Sequence, residues 1–144
     1  MKKLHSILLV DDDEPTNYLH KRIIRRADVA DETFTVENGE DAIEFLLGRG
    51  RYKGKNLLPP EPILVFVDIN MPRMDGWEFL EAYKNLPEAI RANRKIMMLT
   101  TSPHPEDKKK AEGQPLVAGF YNKPMTKEML KEIIEDHFDE NTAA

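Results

Sequence analysis

The segment Ile63-Leu64-Val65-Phe66-Val67 constrains the fold more than any other stretch of this chain. Its apolar positions run without alternation, so a strand built from it has both faces covered, the condition of a central strand in a parallel sheet flanked by helices. The rest of the chain repeats a matching unit, an apolar run followed by an amphipathic stretch. Residues 7–10 precede 18–27, residues 33–36 precede 42–47, residues 95–99 precede 106–112, and residues 118–121 precede a last helix that starts at Thr126. Five such βα units predict an α/β fold with one open, five-stranded parallel sheet.

Side-chain spacing assigns the helix faces. The first helix starts near Pro15, which a first turn tolerates, and is expected to turn Leu19, Ile23 and Ile24 inward, leaving Lys21, Arg22, Arg25 and Arg26 in water. The second, entered through Asn38-Gly39, would bury Ala42, Ile43, Leu46 and Leu47. The third opens at Asp75-Gly76 with Asp75 as N-cap and buries Trp77, Leu80 and Tyr83. The fourth is polar and closes at Gly113; the last carries Met129, Leu130, Ile133, Ile134 and Phe138. Residues 48–62, rich in Gly, Pro and Lys, read as a long loop, and residues 139–144 as a polar, fraying tail.

Composition excludes several classes of function. A length of 144 residues suits one domain over 1–144, with its core at about 5–138 and little room for a separate output module. The apolar runs are too short to cross a bilayer, and the N-terminus lacks the hydrophobic stretch of a secretion signal, so a cytoplasmic location without membrane attachment is expected. The absence of cysteine removes disulfide scaffolds, thiolate zinc sites and thiol nucleophiles. A net charge of −5 opposes a nucleic-acid surface, which needs clustered Lys and Arg.

In an open α/β sheet ligands bind beyond the carboxyl ends of the strands. At that edge lie Asp11-Asp12-Asp13 after the first strand, Asp68 after the third, Thr100-Thr101 after the fourth and Lys123-Pro124 after the fifth. Carboxylates from neighbouring strands form a set of hard oxygen ligands that suits Mg²⁺, and the ion relieves the repulsion that crowding them creates. Asp68 is then the natural nucleophile toward phosphorus, with an ammonium and a hydroxyl beside it to compensate the charge of the transferred group. Asp13 and Glu14 read as solvated or helix-starting charges. The histidines at 5, 20, 104 and 137 have no metal-ligand spacing, the methionines and Trp77 read as packing, and Lys108-Lys109-Lys110 as a solvated helix face.

Four segments in order, Ile7-Leu8-Leu9-Val10-Asp11-Asp12, Val67-Asp68-Ile69-Asn70-Met71-Pro72-Arg73-Met74-Asp75-Gly76, Leu99-Thr100-Thr101 and Asn122-Lys123-Pro124, resemble the signature of two-component response regulator receiver domains of the stand-alone, chemotaxis type. The resemblance covers essentially the whole chain. It implies the flavodoxin-like, doubly wound strand order 2-1-3-4-5, phosphorylation of Asp68, and Mg²⁺ bound directly by Asp12 and Asp68, mainly through water by Asp11, and by the backbone carbonyl of Asn70. It further implies that Thr100 is the switch hydroxyl, that Lys123 pairs with the phosphate from a turn with a cis peptide, and that Phe120 is the aromatic following the switch. Thr101 and Ser102 remain alternatives as helix caps, and Tyr121 is the competing aromatic; strand alternation lets only one of the two aromatics share a given face.

The implied function is that of a phosphoacceptor which takes and loses its own phosphoryl group and is not a turnover enzyme. The donor would be a sensor histidine kinase or a histidine phosphotransfer protein, and the output a protein contact through the fourth helix, fifth strand and fifth helix, with homodimerisation left open. Two rivals stand beside it. A Mg²⁺-dependent phosphohydrolase with an aspartyl-phosphate intermediate resembles this site, but such enzymes usually carry a second acid two positions after the nucleophile, where this chain has Asn70. A pseudo-receiver serving as a docking scaffold would not need Asp12, Asp68, Thr100 and Lys123 together. The chain departs from the family in the length of 48–62, in Pro103 and Pro105 after the switch threonine and in Gln114-Pro115 before the fifth strand, which bears on how far the switch moves.

Overall fold

Five parallel strands, β1 (Leu4–Val10), β2 (Ala30–Val36), β3 (Ile63–Val67), β4 (Arg94–Thr100) and β5 (Val117–Asn122), form one sheet in the order β2-β1-β3-β4-β5. The structure is a computed structural model and describes residues 3–53, 62–71, 73–101 and 104–138. Between the strands run α1 (Glu14–Ala27), α2 (Gly39–Leu47), α3 (Gly76–Lys84), a single-turn α4 (Glu88–Arg91), α5 (Pro105–Glu112) and α6 (Lys127–Phe138). The fourth and fifth helices of the sequence reading are therefore α5 and α6.

Strand alternation divides the interior into two cores. Ile7, Leu9, Leu64, Phe66, Met97 and Leu99 point to one face and pack with Ile24 of α1 and Leu130, Ile133 and Ile134 of α6. Leu8, Val10, Val65, Val67, Ile96 and Met98 point to the other and pack with Ala42, Phe45 and Leu46 of α2, Phe79, Leu80 and Tyr83 of α3 and Ala111 of α5. β3 is buried along its whole length, as its apolar run requires. Each large apolar side chain so buried contributes about 2 kcal/mol before conformational entropy is counted.

The helix faces differ from expectation in an instructive way. Leu19 does not point inward: it is 46% exposed and Tyr18 71% exposed, whereas Asn17, His20 and Ile24 are buried. The inner stripe of α1 thus contains two polar residues, and a search for apolar periodicity alone rotates the helix by about one position. In α2 Phe45 is fully buried beside the expected Ala42 and Leu46, while Ile43 and Leu47 are only half-buried; in α3 Phe79 is buried and Trp77 sits at the rim under Lys110, whose Nζ lies 4.5 Å from the ring centroid.

Hydrogen bonding extends the strands beyond their apolar runs, to Leu4 in β1 and Ala30 in β2, whose edge position tolerates exposed Asp31 and Glu32. The segment read as a long loop begins with a 3-10 turn, Gly50–Tyr52, that carries Tyr52 into the core, edge-on to Phe45 at 5.1 Å between centroids. Residues 54–61 and 139–144 lie outside the described residues, as do Ser102 and Pro103.

Asp75 is the N-cap expected of it, and Asp13, read as either a solvated or a helix-starting charge, is the N-cap of α1. Asp13 accepts the Thr16 N–H at 3.1 Å, and Asp75 forms a reciprocal box with Glu78. Thr126 caps α6 through the Met129 N–H at 3.1 Å. The N-cap of α5 is His104, ahead of Pro105, and not Thr101; the alternative cap Ser102 lies outside the described residues. No helix among the described residues is long and apolar enough to cross a membrane.

Candidate functional site

Register brings the acidic residues together. Val10 of β1 is paired with Val67 of β3, so the next residue of each strand, Asp11 and Asp68, leaves the sheet at neighbouring points on one edge. The ladder runs one step further: the Asp68 N–H donates to the Val10 carbonyl at 3.0 Å, and the Asp11 N–H to Val36 at 3.1 Å. On the other side Thr100 is paired with Asn122, and the Lys123 N–H donates to the Thr100 carbonyl at 2.9 Å. From there the Lys123 side chain crosses to the centre, where Nζ donates to Asp68 Oδ2 at 3.2 Å and to Asp11 Oδ2. The Lys123-Pro124 peptide is cis.

Carboxylate oxygens of Asp11, Asp12 and Asp68 all lie within 4.8 Å of one another. Asp12 is exposed, whereas the side chains of Asp11, Asp68 and Lys123 are only 7%, 11% and 10% accessible. Both Asp11 oxygens are engaged by the protein, Oδ2 by Lys123 and Oδ1 by the Asp13 N–H at 3.0 Å. Burial pushes the Asp68 carboxyl above its ordinary pKa and the Asp11 charge adds to the shift, while Lys123 and the Asn70 backbone N–H oppose it. Burial works against the Lys123 ammonium, but its bonds to Asp11 and Asp68 prevail and its pKa is raised. The donor set is of hard oxygens in a partly desolvated pocket with net negative charge, which fits a small divalent cation and not a soft one.

Thr100 is fully buried. It has the strand parity of Ile96 and Met98, which face the α2, α3 and α5 core, and Phe120 packs against that same core. Tyr121 packs against the opposite one, so only Phe120 shares a side of the sheet with Thr100. Asn70 meets Asp68 through its backbone N–H.

Two residues at the site escaped the sequence reading. Asn17 donates from Nδ2 to the Asp11 carbonyl at 2.8 Å, and His20 Nε2 accepts the Met125 N–H at 3.2 Å. Together with Asp11, Asp68 and Lys123 they line a cavity of about 10 Å³ beneath the carboxylates. The signal that finds them is periodicity carried backward from Ile24, which reaches His20 and then Asn17 on the same helical stripe. A much larger groove, about 770 Å³, runs along α1 and β2 and shares only Asn17 with this cavity.

Sheet order and edge site together define a doubly wound α/β protein with an acidic cluster and a lysine at its switch point. The chain belongs to the response regulator receiver domain family, whose model matches residues 7–135. It is 33% identical over 101 residues to Response regulator Rcp1 of Synechocystis sp., a match covering 70% of this chain and 64% of that relative's length. Among solved structures, a two-component response regulator from Cytophaga hutchinsonii superimposes with a TM-score of 0.80 at 30% identity, covering 96% of this chain and 100% of the other. The Mn²⁺-bound form of response regulator Rcp1 superimposes with a TM-score of 0.67 at 26% identity, covering 94% and 95%. The order 2-1-3-4-5 expected from the resemblance is the order observed.

Proposed function

We propose that this receiver domain accepts a phosphoryl group on Asp68, using Mg²⁺ held directly by Asp12, Asp68 and the backbone carbonyl of Asn70 and through water by Asp11. The observation that carries the reading is the meeting of Lys123 with Asp68 and Asp11 in one acidic pocket. Asp11 suits an indirect role because both of its oxygens already accept N–H groups of the protein. The manganese-bound relative supports a divalent ion as occupant. Bound there, the ion would offset the clustered negative charge and screen an incoming phosphoryl group from the carboxylates.

Asp68 supplies the attacking oxygen: an Oδ–P bond forms as the P–N bond to the donor imidazole breaks, and the imidazole leaves. Lys123 bonds a phosphoryl oxygen with its ammonium, and Thr100 donates its hydroxyl to another. Phe120 follows Thr100 from the same side of the sheet, and the two-state change reaches the surface of α5, β5 and α6. The donor is a histidine kinase or phosphotransfer protein in the cytoplasm; the output is contact with a protein partner, a second copy included, and not with nucleic acid. Phosphohydrolase turnover is disfavoured because Asn70 has no acid proton to exchange.

The test is incubation with acetyl phosphate and Mg²⁺, followed by mass spectrometry. Wild type is expected to gain one base-labile phosphoryl group on Asp68. Equal labelling of Asp68→Asn, or steady turnover of simple phosphate esters, would overturn the proposal.

A further inference from the structure

His20 is a buried, titratable side chain that the proposed phosphoryl transfer does not use. It is 2% exposed, on the inner stripe of α1, and its Nε2 accepts the backbone N–H of Met125, itself 1% exposed. An amide N–H donates only to a lone pair, so Nε2 is unprotonated and the ring proton of the neutral tautomer sits on Nδ1. Burial and the nearby Lys123 charge lower the pKa of this imidazole against the pull of Asp11, which keeps it neutral and able to accept.

The bond matters because of where Met125 stands. Lys123 leaves β5 with its own N–H fixed on the Thr100 carbonyl at 2.9 Å, and two residues later the chain is fixed again, on α1, by His20. Beyond it Thr126 caps α6. The turn bearing Lys123 is thus clamped between β4 and α1, the helix that begins just after Asp11 and Asp12. We infer that His20 is a positioning residue, whose acceptor nitrogen holds the turn 123–125 so that the Lys123 ammonium is aimed at Asp11 and Asp68. Its consequence for phosphorylation rests on the function proposed above; its geometry does not.

The test compares His20→Leu, which fills similar space without an acceptor, with His20→Gln, whose Oε1 can reach the position of Nε2. His20→Met covers the case that the leucine variant does not fold. With acetyl phosphate and Mg²⁺, His20→Leu is expected to label Asp68 about tenfold more slowly than wild type, while His20→Gln stays within about threefold, because small misplacements of a charge-compensating group have large kinetic effects. Mg²⁺ affinity, measured by calorimetry, should be unchanged in both, since neither variant alters a proposed ligand. Amide exchange at Met125 should be at least about tenfold faster in His20→Leu and remain slow in His20→Gln.

Equal slowing in both variants would reduce His20 to packing and overturn the inference, as would a parallel loss of Mg²⁺ affinity or an unchanged Met125 exchange rate in His20→Leu. If wild type takes no label at all, the phosphorylation reading fails by itself, and Met125 exchange alone decides whether the clamp exists.

Discussion

Lys123 Nζ lies 3.2 Å from Asp68 Oδ2 although 55 positions separate the two residues, and the same ammonium also donates to Asp11. One cation thus serves two largely buried carboxylates. Replacing it by methionine leaves like charges facing each other without a counterion, the costly way to break a buried pair. Lys123→Met is expected to lose on the order of 2 kcal/mol in a chelator, below the fully buried range because the pocket edge is open to solvent. Mg²⁺ should restore part of that loss. Urea denaturation with and without Mg²⁺ measures both, and an equal loss under the two conditions would contradict a shared neutralising role.

Gly76 is required by close approach. A Cβ there would lie 2.7 Å from the Asp68 carbonyl oxygen and 2.9 Å from Ile69 Cα, both backbone atoms that cannot rotate aside. Gly76→Ala should therefore cost about 1–3 kcal/mol by overpacking and slow labelling of Asp68 by shifting its strand end. Gly113→Ala is the control: its nearest neighbour would be 3.6 Å away and its φ is −81°, so stability should change by less than about 0.5 kcal/mol. Matching urea midpoints for the two variants would refute the steric argument.

Phe45→Ala and Leu19→Ala test the helix faces. Phe45 is fully buried between Phe34 and Tyr52, so its truncation is expected to cost about 3–5 kcal/mol. Leu19, nearly half exposed, should lose no more than about 0.5 kcal/mol. Thermal denaturation ranks them, and a larger loss for Leu19→Ala would mean α1 is rotated from the orientation described.

Tyr83 gives a pH dependence independent of the site. Burial pushes its phenol from 10.0 to about 12, with Arg91 and Arg94 opposing. A folded-state pKa raised above the unfolded one favours the neutral form in the fold, so the contribution is complete below pH 10 and is lost as pH climbs through about 12. Tyr83→Phe should make the fall of stability across that window shallower. Urea midpoints taken over the window check it; identical slopes would remove Tyr83 as the cause.

Much of this was legible in the chain because it is local. The unbroken apolar run of β3 demands cover on both faces, Asp75 ahead of Gly76 announces a helix start, and chemistry-bearing residues follow strand ends at 11, 68, 100 and 123. Other features were hidden because local polarity points the wrong way. Asn17 and His20 are polar yet buried, Tyr52 belongs to the core although its surroundings read as loop, and Leu19 is apolar yet exposed.

By itself the sequence determined the succession of strands and helices and the residue types gathered at one edge, since side-chain periodicity and capping act over a few residues. The strand order was expected through the family resemblance; only the tertiary structure decided that Val10 aligns with Val67 and that a lysine 112 positions from Asp11 reaches across to it. Those outcomes depend on helices packing against both sheet faces at once, a condition the whole chain must satisfy together and no single segment encodes.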